Sequence, residues 1–217
     1  SDFFDLLEQS EGVMEKALEA LLGDQGLKAS IWEEEWVDLG YPWDILRGNK
    51  MIMDSWERAS ISKTAQLIGD VGIQGPVNIA DNVTVEKGTL IKGPCYIGPG
   101  SFVGHNALIR EYTCIGANSV VGFGVELKNC VLFDDSQVGR LSFVGDSVIG
   151  EGVYIGSGSM TINGRLDEGT IRVKGNGMDV DTGLTKIGSF IGDGAKIGSS
   201  NTLAAGCMIE AEESIPH

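Results

Sequence analysis

Residues 91–132 read IKGPCY-IGPGSF-VGHNAL-IREYTC-IGANSV-VGFGVE-LKNCVL, seven six-residue units in an unbroken row. Each opens on Ile, Val or Leu, and the fifth position is small or β-branched: Cys95, Ser101, Ala107, Thr113, Ser119, Val125 and Val131. Five earlier units, opening at Ile61, Leu67, Ile73, Ile79 and Val85, extend the run to twelve over 61–132. Self-similarity at this period signals a parallel β-helix in which each unit is one short strand and a turn. A single unit cannot bury its apolar edge, so stacked coils must share a narrow core. Three units per turn make a triangular prism with a coil about every 18 residues.

Working outward, the period falters after Leu132. Phe133–Gln137 and Val144–Val148 read as five-residue units on either side of a full one that opens at Val138. Regular units resume at Ile149 and Ile155, and again at Ile191, Ile197, Leu203 and Ile209. Between them, about 161–186 is Gly- and Asp-rich and has no period. A loop of this length in a compact domain is usually functional or disordered, and it is expected to swing out of the prism and back, within reach of a neighbouring subunit. On this reading residues 57–217 form the β-helix domain.

Residues 1–56 lack the repeat and read as a helical appendage. The apolar runs Phe3–Leu7 and Val13–Leu22 have a helical period that Gly23 would stop. Ile31 to Leu39 alternates as a strand does, and Pro42 suits the first turn of a helix running to about Met53. This appendage is expected to cover the exposed strand edge of the first coil.

Gly accounts for 32 of 217 residues and collects at repeat positions where corners are tight. Sixteen basic residues against 31 acidic ones leave a net charge of −15, which speaks against nucleic acid or an anionic membrane as partner. Neither a long apolar span nor a signal peptide is visible, so a cytoplasmic protein is expected. Cys95, Cys114, Cys130 and Cys207 lack metal-like spacing and read as reduced core or turn thiols.

Used as a ruler, the period places side chains in space. Lys92, Arg110 and Lys128 each hold the second position of a unit, 18 residues apart. They should stack in three successive coils, about 4.8 Å per step. Like charges so placed repel. Either a bound anion such as a phosphate offsets the repulsion, or nearby carboxylates such as Glu111 and Glu126 do. His105 holds a turn position and reads as a solvated histidine. No nucleophilic triad, metal cluster or phosphate-binding loop is recognisable.

The stretch Leu141 to Asn163, LSFVGDSVIGEGVYIGSGSMTIN, resembles the acetyltransferase domain of GlmU-type enzymes. These join a sugar-1-phosphate nucleotidylyltransferase to a left-handed β-helix that acetylates glucosamine 1-phosphate. The resemblance spans about residues 57 to 217. WVDLGYPWDILRGN, Trp36 to Asn49, looks like the end of the nucleotidylyltransferase domain in archaeal members, with Asp38 at that family's metal-binding aspartate. The resemblance implies a C-terminal part of a longer enzyme, acetyl-CoA as donor, no metal in this segment, and a homotrimer with sites between neighbouring prisms. It also implies that the chain stops a coil short of bacterial members. By position, Arg110 and Lys128 match residues that hold the sugar phosphate, Lys92 extends their column, Asn163 matches a substrate-contacting asparagine, and Ser199 lines the acetyl-CoA site.

Several positions depart from the family. Its base histidine and the tyrosine three residues later are here Arg140 and Phe143. Arg stays protonated and cannot take a proton, and a general base contributes roughly 10²–10⁴-fold. His105 should lie two coils from position 140, about 10 Å away. Loop lysines of the family align with Gly169 and Arg172, and the tail after Lys196 has Glu210, Glu212 and Glu213 but no Lys or Arg. Two expectations follow: an acetyltransferase-like domain with a degraded base position, or a non-catalytic trimerisation or regulatory β-helix binding a phosphorylated ligand.

Overall fold

The computed structural model describes residues 3–24, 30–175 and 177–217. The chain divides into two compact units, 1–36 and 37–217. In the first, α1 (Phe3–Gln9) and α2 (Met14–Asp24) pack on each other. The two apolar runs are therefore two helices. Glu11 and Gly12 take φ of 56° and 79° and break the ladder between them, and α2 runs through Gly23 rather than stopping there. The strand expected over 31–39 is not formed, for the described residues 30–40 have no neighbouring strand to complete a ladder.

The second unit is a parallel β-helix of the hexapeptide class. Its short strands belong to three sheets, the faces of the prism, whose neighbouring strands come from successive coils. We name the faces by their first strands: the first begins at Ser60–Ile61, the second at Gln66–Leu67 and the third at Gly72–Gln74. Registers record the coil length directly. Gln66, Thr84, Phe102 and Val120 stand side by side at 18-residue steps. The next two steps, to Gln137 and Tyr154, are 17, and the step to Lys196 is 42, because the 161–186 excursion lies within that coil.

The first short unit begins earlier than the spacing implied. Leu132 lies beside Ile115 and is itself an inward opening position, so the five-residue unit is Leu127–Val131. Val131 accordingly points outward, and Cys130 takes the inward place. The corner tightens at Asn129, with φ of 43°; the second short unit tightens at Asp146, with φ of 51°. Inside, Ile91, Ile97, Ile109, Ile115, Leu127 and Val138 are fully buried. Each such side chain contributes about 1.5–3 kcal/mol of hydrophobic stabilisation.

The two short units give the first face an apolar exterior. Cys114, Val131, Val148, Phe190 and Met208 face outward there, and they are covered on the flank. Trp43 and Leu46, at and in α3 (Asp44–Asp54), pack on them, with the Trp43 and Phe190 rings 5.9 Å apart. Asn49 of α3 donates to the Tyr112 carbonyl at 2.8 Å. Thus α3 forms close to its expected bounds but lies along the prism. Ile61 and Leu67 of the first coil are exposed. The reason is chemical: the amphipathic helix finds its apolar counterpart on the flank.

The excursion also covers its own prism. Ile171, Val173 and Ile187 join the Trp43 cluster. Its hairpin, Arg172–Gly175 with Met178–Asp181, extends the first face beyond the strand Cys207–Ile209, with Lys174 beside Cys207. An otherwise open strand edge is paired in this way.

Candidate functional site

The basic ladder forms as the period required. Ile91, Ile109 and Leu127 are in register, so the residues that follow them, Lys92, Arg110 and Lys128, align at one edge of the third face. Carboxylates relieve two of the three. Arg110 pairs with Glu126 at 2.9 Å and lies 3.8 Å from Glu111. Lys128 lies 3.6 Å from Asp146. Lys92 has no ion-pair partner among the described residues. The stack therefore does not need an anion to be tolerated. Partly exposed pairs of the Arg110–Glu126 kind are worth about 0–1 kcal/mol, so a phosphate could compete for the guanidinium.

The next corner position carries a second column. By the same registers Glu111, Asn129, Asp146 and Asn163 lie above one another. Asp146 is the centre of this column, with its side chain 5 % exposed. Its Oδ1 accepts from Asn129 Nδ2 at 2.7 Å, and its Oδ2 accepts from Asn163 Nδ2 at 2.6 Å. Backbone bonds fix its own position: its N–H donates to the Lys128 carbonyl and its carbonyl accepts from Gly188. The Phe143 ring leans over Gly145 beside this network. A Cβ on Gly145 would stand 2.5 Å from the ring tip and 3.1 Å from Asn163 Nδ2. Arg110, Lys128 and Asn163 are thereby brought to one edge. Asp146 and Asn129 were missed, although two tight corners with Asn or Asp in the left-handed region were a legible signal.

Arg140 and Ser199 stand elsewhere. They occupy the corner between the second and third faces, in a column of His105, Phe123, Arg140, Ser157, Ser199 and His217. His105 is two coils from Arg140, as the ruler implied, and its Nε2 lies 3.4 Å from Glu86. Ser199 is two coils from Arg140 on the other side, and its N–H donates to His217 Nδ1 at 2.8 Å. Arg140 is exposed and borders a cleft with Phe123, Gln137, Tyr154 and Ser157. The third face separates the two corners, so one prism alone does not gather all the candidate residues at one point.

All four cysteines are free. Burial pushes Cys95 up to about 12 and Cys114 up to about 11, and raises Cys130 and Cys207 as well. No group of three or more His, Cys, Asp or Glu side chains among the described residues is arranged to hold a metal ion.

The profile of the GMPPB C-terminal domain family matches residues 91–185. A bifunctional sugar-1-phosphate nucleotidylyltransferase/acetyltransferase of Sulfurisphaera tokodaii is 34% identical, over 97% of this chain and 52% of its own length. The bifunctional protein GlmU of Methanocaldococcus jannaschii is 30% identical, over 94% of this chain and 52% of its own. The chain thus spans about half the length of these relatives. Among solved structures, a hexapeptide transferase family protein from Anaplasma phagocytophilum is similar at 17% identity and a TM-score of 0.44, over 73% of this chain and 74% of that one.

Proposed function

We propose that the chain is the hexapeptide-repeat part of a GlmU-like bifunctional nucleotidylyltransferase/acetyltransferase, to which it is similar over 94–97% of its length, and that it binds a glucosamine 1-phosphate-type ligand at the edge that carries Arg110, Lys128 and Asn163. The observation that carries this reading is the meeting of the basic column with Asn163 through Asp146. Arg110 and Lys128 would hold the phosphate, with Lys92 one coil further along, and Asn163 would orient the sugar. In the parent enzyme a nucleotidylyltransferase domain accompanies this part.

Acetyl transfer from acetyl-CoA would need the corner of Arg140 and Ser199 as well. A homotrimer brings such a corner of one prism toward the ladder edge of the next. The exposed Phe102, Phe123, Tyr154 and Met160 on and beside the second and third faces support that assembly. In this arrangement Arg140 fixes a cation where the reaction needs a base, so attack of an amine on the thioester is slow. If turnover survives, water or another group accepts the amine proton as the C–N bond forms and the CoA thiolate leaves.

The same substitution, with the acidic tail, favours the second reading, a trimerisation or regulatory β-helix that binds a phosphorylated ligand without acylating it. Incubation of the chain with acetyl-CoA and glucosamine 1-phosphate, followed by release of free thiol, separates the two. We expect turnover at least 100-fold below that of an Arg140→His variant. Robust turnover by the unaltered chain removes the non-catalytic reading. Silence from both, with ligand still bound, removes the catalytic one.

A further inference from the structure

We infer that Asp146 is a specificity-determining positioning residue, which turns the Asn163 and Asn129 amides so that their carbonyl oxygens face an amine on the sugar phosphate. This rests on the proposed sugar-phosphate site and deepens it.

The hydrogen-bonding capacity of these groups sets how they can face one another. An ionised carboxylate only accepts, whereas an Asn side chain has one face that donates and one that accepts. Asp146 occupies the middle of the column, with Asn129 one coil below and Asn163 one coil above. Each amide spends Nδ2 on a different oxygen of Asp146, at 2.7 and 2.6 Å. Rotating either amide by half a turn would set a carbonyl oxygen against the carboxylate. The orientation is therefore fixed by charge and not left to solvent. Asp146 cannot turn away, because its backbone N–H and C=O are both bonded and its side chain is 5 % exposed.

Neither Oδ1 is engaged within the described residues, and both Asn163 and Asn129 are partly exposed. The corner thus presents two acceptors next to the cations Lys128 and Arg110. A ligand that matches carries a donor-rich group, best a protonated amine, beside an anion. A 2-amino sugar phosphate has both, and a neutral sugar phosphate has only the second. A protonated amine also gains from the Asp146 charge behind the amides, which Lys128 at 3.6 Å only partly offsets. Phe143 contributes shape alone here, since its ring lies over Gly145 and offers no hydroxyl.

The test is calorimetric titration of the whole chain with glucosamine 1-phosphate and, separately, glucose 1-phosphate. The unaltered chain is expected to prefer the amino sugar by at least tenfold. Asp146→Asn should bring that ratio to within about threefold of unity, because its amide no longer dictates which way its neighbours face. Asn163→Ala keeps the buried carboxylate and guards against a misfolded first variant. It should lose most of the preference for the amino sugar. A preference retained in both folded variants overturns the role of Asp146 and leaves the phosphate site standing. Failure of the unaltered chain to bind either sugar phosphate overturns both the site and this inference.

Discussion

The proposed function turns on the side chain of Arg140. Nothing in its backbone is unusual for the corner, since its carbonyl accepts from Gly158 as the stacked coils require. In the proposed reading, a guanidinium stands where the resemblance implies a base histidine. That difference was readable before any coordinates, because protonation is a property of the residue type. The Asp146 network was not readable in the same way. The register alone puts Asn129, Asp146 and Asn163 in one column, but that the two amides both turn their Nδ2 to a buried carboxylate is a matter of side-chain geometry. The cysteines give a second prediction at this scale. With Cys95 raised to about 12 and Cys114 to about 11, thiolate is scarce at pH 8. Iodoacetamide should label half-buried Cys207 first and reach Cys95 and Cys130 only on denaturation; rapid labelling of Cys95 in the native chain would contradict the described core.

Corners, more than strands, distinguish one coil from the next. At the turn into the third face the left-handed position is held by Gly124, Leu141 and Gly158 in successive coils, with φ of 64°, 57° and 71°. Leu141 has a Cβ in a region that costs about 1–2 kcal/mol for an L-residue, and its side chain is mostly exposed. Leu141→Gly should therefore raise stability by up to about 1 kcal/mol in urea denaturation; a loss of stability would mean that the exposed leucine makes contacts absent from this structure. The strands of the regular repeat were legible, since an inward aliphatic every six residues leaves little choice of register; the first short unit and the hairpin of Arg172–Gly175 with Met178–Asp181 were not. Helix α3 was legible too, from Pro42 and its amphipathic pattern. Its position on the flank was hidden, because that depends on Val131 and Val148 facing outward. Trp43→Ala should cost about 3–5 kcal/mol, as expected for removal of a buried aromatic from a packed cluster. A change below 1 kcal/mol would show that the helix is only loosely docked.

At the scale of the molecule, the three faces have different fates. The first is covered by α3 and the excursion, whereas the second and third keep Phe102, Tyr154 and Met160 exposed. The reading therefore predicts a trimer built through the uncovered faces. Light scattering at micromolar concentration should give three times the chain mass, and Phe102→Asp with Tyr154→Asp should shift it to a monomer. A monomeric unaltered chain would contradict the shared-site arrangement. The excursion reads differently in space than along the chain: its loss of period marks a flap that packs on its own prism, held by Ile171, Val173 and Ile187.

The central claim is that the edge with Arg110, Lys128 and Asn163 holds a sugar phosphate. Its most direct test is calorimetric titration with glucosamine 1-phosphate of the unaltered chain and of Lys128→Met, at 50 and 300 mM salt. Saturable binding should weaken at least tenfold in the variant and should also weaken with salt. Binding of equal strength in chain and variant, or no saturable heat in either, would contradict it.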